Sequence, residues 1–139
     1  MSDVATDPRR ELVLPAEDTM YLDASFPGWE TVRDGHAAWL IIPDYPIPDG
    51  YNLTEVSAAL RLERGYPDTP IDMVYFHPPL SRADGTMIKA TGATKIIAGE
   101  SYQRWSRHRT RSNPWRPGID GIETQMLLVR DWLEREFKV

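Results

Sequence analysis

The sequence predicts an α+β domain: a short N-terminal helix, a four-stranded antiparallel meander and a long C-terminal helix. Two observations lead to this prediction. Short apolar runs separated by turn signals fill residues 29–76, as in a meander. Residues 120–137 then carry apolar side chains at helical spacing. A run of strands followed by a helix is typical of α+β domains.

Four apolar segments predict the strands, which are residues 29–32, 37–42, 56–63 and 73–76. Asp34-Gly35 between the first two is a strong hairpin signal. His77-Pro78-Pro79 ends the fourth strand, because neither proline can donate to a ladder. The signals weaken after residue 81, where Ile96-Ile97 indicates one short buried segment.

Both helices carry terminal signals. Residues 14–22 predict about two turns, with Glu17 and Asp18 at the positive end of the helix dipole. So short a helix needs packing of Leu14, Met20, Tyr21 and Leu22 on the body. Asp120 as N-cap, with Glu123 three residues on, resembles a capping box for the second helix. Its predicted buried face is Ile122, Met126, Val129, Leu133 and Phe137, widened by Leu128 and Trp132.

The composition is that of an ordinary globular domain, with 41% hydrophobic and 27% charged residues in a chain of 139. We expect one domain over residues 11–139 and a flexible terminus over residues 1–10. The first ten residues lack an apolar signal-peptide core, and no apolar run is long enough to span a membrane. We therefore expect a cytoplasmic protein without membrane partners. The absence of cysteine excludes disulfides and any thiol mechanism carried by this chain.

Three motifs stand in a characteristic order. Tyr66-Pro67-Asp68-Thr69-Pro70 enters the fourth strand, His77-Pro78-Pro79 ends it, and Trp115-Arg116-Pro117 precedes the last helix. Together they resemble the ubiquitin-conjugating-enzyme superfamily over roughly residues 14–137. The run from Trp105 to Arg109, Trp-Ser-Arg-His-Arg, is similar to a bacterial branch, prokaryotic family E. The resemblance implies a ubiquitin-conjugating-like fold. It also implies partners such as a ubiquitin-like protein, its activating enzyme and a JAB-type peptidase.

Two positions depart from the pattern of the superfamily. Conjugating enzymes carry a Gly-x-(Ile/Val)-Cys segment after a His-Pro-Asn corner, and its cysteine holds the thioester. The matching segment here is Gly85 to Ile88, so Ile88 stands at the thioester position. Pro79 replaces the asparagine that would donate a hydrogen bond to the oxyanion. Conventional thioester transfer is therefore excluded.

Another nucleophile has to be considered. Ser106 with His108 two residues on would share one face of a strand, with Asp84 or Glu100 to orient the imidazole. The alternative is that Ser106 is a structural hydrogen-bonding residue of a loop. His77 is either a base or oxyanion donor, or a structural donor to a nearby carbonyl; we favour the structural interpretation. Because His36, His77 and His108 are scattered, we expect neither a metal site nor a cofactor.

The residues from Arg104 to Arg116 combine arginine with aromatic side chains. Their predicted role is partner binding through Arg104, Trp105, Arg107, His108, Arg109 and Trp115. One alternative is internal pairing of the arginines with Glu100, Asp120 and Glu123. Another is nucleic-acid binding, which the net charge of −5 disfavours.

The leading functional hypothesis is a cysteine-less protein of a bacterial ubiquitin-like modification pathway, a pseudoenzyme that binds a ubiquitin-like protein or its activating enzyme. The first alternative is a transferase in which Ser106, assisted by His108, forms an oxyester. The second is a nucleic-acid-binding accessory protein.

Overall fold

The structure, a computed structural model, describes residues 7–138. Within this range the chain forms two helices and six strands. In chain order they are α1 (Ala16–Ser25), β1 (Glu30–Asp34), β2 (Ala37–Pro46), β3 (Glu55–Leu62), β4 (Val74–His77), β5 (Thr94–Ile97), β6 (Glu100–Trp105) and α2 (Ile122–Arg135). The predicted α+β class and both helices are confirmed. No helix in the described range is long and apolar enough to cross a membrane.

The strands form one antiparallel sheet in the order β1-β2-β3-β4-β6-β5. The first four are the predicted meander, but the prediction of only four strands is wrong. β5 and β6 form a hairpin around Ala98 and Gly99, whose φ angles are 50° and 86°. Positive φ at both positions is what a two-residue type I′ hairpin turn requires.

The larger core lies between one face of the sheet and the two helices. Leu40 pairs with Leu60, and Val74 pairs with Trp105, so that apolar side chains from β2 to β6 share this face. The side chains that α1 and α2 add to the core are Leu22, Ile122, Met126, Val129 and Leu133. Burial of this common face accounts for the packing of both helices on the sheet.

The opposite face of the sheet holds a second, smaller apolar cluster. Its buried members are Val32, Trp39, Ile41, Ala59, Tyr75, Ile97 and Tyr102. The sheet curls around them, and the β5–β6 turn reaches the end of β1, where the Ala98 amide donates to Asp34 Oδ2 at 3.0 Å. The curl brings the two outer strands of the sheet together at one end.

Helix α1 begins two residues later than predicted. Leu14 and Leu22 are buried as expected, but Met20 is 72% exposed. The buried face passes through Asp18 and Leu22, four residues apart, and Met20 lies midway between them, on the opposite side of the helix. The prediction that Met20 packs on the body is therefore wrong.

The start of α2 also differs from the predicted capping box. The N-cap is Gly121, whose amide donates to Thr124 Oγ1 at 3.0 Å. Asp120 lies before the helix and accepts a hydrogen bond from the Arg116 amide at 2.7 Å. A Cβ atom at position 121 would lie 3.1 Å from Asp18 Oδ1, so close packing of α1 favours glycine there.

Part of the predicted flexible terminus is docked. Arg10 forms a parallel bridge with Thr31, and its guanidinium lies 3.5 Å from the centre of the Trp29 ring. Arg9 pairs with Glu30 at 2.9 Å. These contacts add an extended segment alongside β1. Residues 1–6, the rest of the terminus predicted to be flexible, lie outside the described residues.

Candidate functional site

The His77-Pro78-Pro79 corner leads from β4 into a long excursion, residues 78–93, before the chain returns at β5. The buried side-chain amide of Gln103 holds its start. Gln103 Oε1 accepts the Leu80 amide at 2.9 Å, and Nε2 donates to the Leu80 carbonyl at 3.0 Å. From the other side, Asn52 Oδ1 accepts the Ser81 amide at 2.8 Å. The side chains of Gln103 and Asn52 thus provide hydrogen-bond partners for the backbone directly after the two prolines.

Ile88 lies within this excursion and is only 8% exposed. It lines a shallow cavity of about 320 Å³ together with Leu80, Ser81, Arg82, Gly85, Thr86, Met87 and Thr91. Asp84 is engaged nearby, because its carboxylate accepts from the Arg82 guanidinium at 2.6 Å. This hydrogen bond lowers the pKa of Asp84 to about 2. Asp84 is therefore committed to Arg82 rather than to a histidine.

Ser106, His108 and Asp72 form a hydrogen-bonded series on the surface. The Nδ1 atom of His108 lies 2.9 Å from Asp72 Oδ1 and 3.0 Å from Oδ2, and its Nε2 lies 3.3 Å from Ser106 Oγ. More than half of the side-chain surface of both His108 and Asp72 is exposed. The structure thus brings the predicted pair Ser106 and His108 together.

The carboxylate in this series was missed by sequence reasoning. β4 and β6 run antiparallel, and Val74 pairs with Trp105, so the chain before β4 lies beside the chain after β6. This register places Asp72 next to His108. The signal that could have identified it is the pairing of β4 with β6, but the predicted meander ends at the fourth strand, which leaves β4 without a later partner strand.

The carboxylates predicted to orient His108 lie elsewhere. Glu100 Oε2 is 3.2 Å from His77 Nε2, and His77 Nδ1 is 2.9 Å from the Ser101 carbonyl. His77 thus bridges β4 to the start of β6, which supports the structural interpretation of this residue. His36 lies exposed in the turn between β1 and β2.

Trp105 was predicted to bind a partner, but its side chain is not accessible at the surface. It is fully buried on β6, packs at 5.4 Å against the Phe76 ring, and donates from Nε1 to Gln103 Oε1 at 2.9 Å. The run of neighbouring arginines suggested an exposed loop. The segment is instead a strand through Trp105. Gln103 and Trp105 are buried on one face of this strand, and Arg104 between them is exposed.

Two of the predicted surface arginines are engaged within the chain. Arg107 donates to the Lys89 carbonyl at 2.9 Å and lies 3.5 Å from Glu136. Arg109 donates to Gln125 Oε1 at 3.2 Å and lies 3.8 Å from Asp120. Internal pairing therefore applies to both, although Asp120 alone of the three predicted carboxylates takes part.

A second shallow cavity, of about 330 Å³, adjoins His108 and Asp72. Its other lining residues are Pro70, Ile71, Arg109 and Trp115. The half-buried Trp115 ring lies 5.0 Å from the Arg109 guanidinium, and its Nε1 donates to the Pro67 carbonyl at 3.0 Å. The Trp-x-Pro element thus packs against the Tyr-Pro segment and forms one wall of this cavity. Nowhere in residues 7–138 do three histidine or carboxylate side chains gather closely enough to hold a metal ion.

Of the comparisons with known proteins, only the one with protein families finds a match. The family model of prokaryotic E2 family E matches residues 14–136. The chain belongs to prokaryotic E2 family E. No curated protein and no solved structure matches it. Membership in family E relates the chain to ubiquitin-like conjugation and agrees with the curled antiparallel sheet between a short first helix and a C-terminal one.

Family E membership allows the excursion between β4 and β5 to be compared with the active-site segment of conjugating enzymes. Ile88, which is buried, lies in this excursion. That Ile88 matches the cysteine of conjugating enzymes, and Pro79 their asparagine, stays a prediction from the resemblance. The excursion also contacts the serine–histidine series, since the Ser106 amide donates to the Ala90 carbonyl at 3.0 Å. The predicted hydroxyl–imidazole pair is therefore hydrogen-bonded, through the Ser106 amide, to a residue two positions beyond Ile88.

Proposed function

We propose that this family E chain acts in a ubiquitin-like modification pathway as a binding protein for a ubiquitin-like protein, its activating enzyme or both, and forms no thioester. The observation that carries the proposal is the apolar residue at the thioester position. Ile88 is 8% exposed, and the whole chain contains no cysteine. The chain thus belongs to the family and carries no thiol of its own.

The binding surface we assign is smaller than the one the sequence predicted. It comprises the exposed side chains of Arg104, His108 and Arg111 and the half-buried ring of Trp115. Tryptophan and arginine contribute most to the energy of protein interfaces, which supports this choice. The cavity of about 330 Å³ beside Trp115 has room for one or two side chains of a partner. Trp105 is left out because reaching it requires unfolding of β6.

Nucleic-acid binding has less support. Arg107 and Arg109 contact Glu136 and Asp120, so their charges are offset within the chain. The net charge of −5 also opposes a general affinity for phosphate backbones. A protein partner therefore suits this surface better.

Calorimetric titration with a bacterial ubiquitin-like protein from the same genome, and with its activating enzyme, tests the proposal. We expect Arg104→Glu with Arg111→Glu to weaken binding about tenfold or more, the loss associated with interface hot spots. The double variant Arg33→Glu with Arg64→Glu makes the same charge change at exposed positions elsewhere and should bind as the native chain does.

Two results would count against the proposal. If the native chain binds neither the ubiquitin-like protein nor its activating enzyme, the proposed function is wrong. If both double variants bind as tightly as the native chain, binding exists but the assigned surface is wrong. A JAB-type peptidase from the same genome serves as a third ligand in the same titration.

A further inference from the structure

The series Asp72–His108–Ser106 has the connectivity of a nucleophilic triad. A carboxylate can only accept, so His108 Nδ1, which lies 2.9 Å and 3.0 Å from the two Asp72 oxygens, must donate. In the neutral ring this leaves the Nε2 lone pair facing Ser106 Oγ at 3.3 Å. This tautomer is the one in which an imidazole removes a proton from a serine.

We infer that Asp72, His108 and Ser106 form a nucleophilic site that accepts an acyl group from an activated carboxyl, a thioester on another protein or an acyl adenylate. Ser106 Oγ forms a bond to the carbonyl carbon, and His108 Nε2 takes the hydroxyl proton. The bond from that carbon to the thiolate or phosphate leaving group then breaks, and the proton passes to a thiolate leaving group or to solvent. The product is an oxyester on Ser106, with no change in oxidation state. Asp72 orients the imidazole and stabilises its protonated form.

The location of Ser106 supports this inference. The Ser106 amide donates to the Ala90 carbonyl at 3.0 Å, and Ala90 is two residues beyond Ile88. Ser106 is thus bound through its backbone to the segment that, by the resemblance, carries the acyl group in the superfamily. The identity of the acyl donor as a ubiquitin-like protein rests on the proposed function. The assignment of Ser106 as a nucleophile does not rest on it.

The backbone around the series is held in unusual conformations. Met73, next to Asp72, has φ 60°, and Ala90, bonded to Ser106, has φ 57°. Non-glycine residues rarely adopt such angles, and those that do are concentrated at functional sites. Met73 is held from α2, where Gln125 Nε2 donates to its carbonyl at 3.4 Å. Two of the four non-glycine residues with positive φ in the described range therefore flank the triad.

The site also has limits that shape the expected chemistry. By the resemblance, Pro79 replaces the asparagine that stabilises the oxyanion in conjugating enzymes, and loss of one such donor typically slows acyl transfer about 10²–10³-fold. We therefore expect slow acylation and an oxyester that persists long enough to be isolated. The cavity bounded by Pro70, Ile71 and Trp115 adjoins His108 and offers an approach for an extended chain end.

The nucleophile is tested with a fluorophosphonate probe and intact-mass spectrometry on the full chain. We expect one adduct on Ser106, located by peptide mapping, and none on Ser106→Ala. Asp72→Asn and His108→Ala should each label at least tenfold more slowly, since a triad works as a unit. Ser112→Ala, in the same exposed segment, is the matched control and should label like the native chain.

Because Ser106, His108 and Asp72 lie at or near the surface, their variants should fold, which circular dichroism checks. An unlabelled native chain overturns the inference, as does equal labelling of Ser106→Ala. A purely structural hydrogen bond predicts that Asp72→Asn leaves the labelling rate unchanged, and this result also overturns it.

The acyl group is tested by incubation with the ubiquitin-like protein, its activating enzyme and ATP. An adduct that survives dithiothreitol, yields to hydroxylamine and is absent from Ser106→Ala supports the full inference. If the probe labels Ser106 but no adduct forms although the ubiquitin-like protein binds, the nucleophile stands and this acyl group is wrong. If the ubiquitin-like protein does not bind while the probe labels Ser106, the proposed function alone fails.

Discussion

The carboxylate of Asp18 in α1 accepts a hydrogen bond from the Tyr66 hydroxyl at 2.7 Å and another from the Ile122 amide at 3.3 Å. One buried side chain thus joins the first helix, the Tyr-Pro segment and the start of α2. The carboxylate also lies at the positive end of the α2 dipole, where a negative charge is favoured. Residues far apart in sequence meet at this point.

Stability should respond to pH through Asp18. Burial raises the pKa of Asp18 above its usual value, and the hydrogen bonds from Tyr66 and Ile122 offset only part of this effect. The folded chain then binds more protons than the unfolded chain, so the contribution of Asp18 is largest at low pH and is lost as the pH rises from about 3.8 through the folded pKa. Urea unfolding of the native chain and of Asp18→Asn across this pH range measures this contribution. The free energy of unfolding of the native chain minus that of the variant should fall with rising pH.

Glu30 provides the opposite case for the same measurement. The hydrogen bond from Arg9 lowers the pKa of Glu30, so its contribution is present at neutral pH and lost as the pH falls through the folded value. The free energy of unfolding of the native chain minus that of Glu30→Gln should therefore rise with pH. Slopes of the same sign for both variants would contradict the assignment for Asp18.

Replacement of Gln103 by leucine should destabilise the chain by about 3 kcal/mol or more. The change leaves the Leu80 amide, the Leu80 carbonyl and the Trp105 indole without a partner, and such buried groups cost about 1–3 kcal/mol each. Chemical denaturation measures the loss. Asn52→Ala removes bonds to the same corner from an exposed position and should cost only about 1 kcal/mol. Equal losses would show that burial of Gln103 does not matter.

Trp105 should behave as a core residue. Because its ring is fully enclosed between β4 and the helices, Trp105→Ala should lower the free energy of unfolding by about 3–5 kcal/mol. Arg104→Ala, at the neighbouring exposed position, should change it by less than about 0.5 kcal/mol. Thermal and urea unfolding give both values. A well-folded Trp105→Ala variant that has lost only partner binding would return Trp105 to the interaction surface.

A cysteine placed at Ile88 should remain poorly reactive. Ile88 is 8% exposed and the adjacent Met87 is 87% exposed, so the Met87→Cys thiol should react with Ellman's reagent on the order of ten times faster or more than Ile88→Cys. Similar rates in the two folded variants would mean that the thioester position is accessible. Restored thioester formation in Ile88→Cys would show further that the loss of the cysteine alone disables the scaffold.

The meander was predictable because its strands are bounded by strong local signals, such as Asp34-Gly35 and the His77-Pro78-Pro79 corner. The β5–β6 hairpin was not, because an outer strand buries little: of β5 only Ile97 is buried, so no alternation appears in its sequence. Its turn, Ala98-Gly99, is also a weaker signal than Asp-Gly or Asn-Gly. The hairpin was therefore missed because its edge strand, β5, and its turn both carry weak local signals.

The candidate site was half predictable. Ser106 and His108 are two residues apart, and this spacing suggested the pair, although β6 ends at Trp105 and both residues lie in the chain after the strand. Asp72 joins them only through the β4–β6 pairing, which is a long-range contact that no local pattern encodes. Trp105 was misplaced for the same reason, because its burial depends on the strand it pairs with.

The excursion between β4 and β5 leaves and rejoins the sheet without contributing a strand to it, and Gln103 and Ser106 bind its backbone near its two ends. Its side chains can therefore be exchanged while the strand register stays fixed. The sheet does not depend on which residue occupies position 88, so a residue without a thiol is compatible with this fold. In an engineered protein, the same segment is a natural position at which to exchange one chemistry for another.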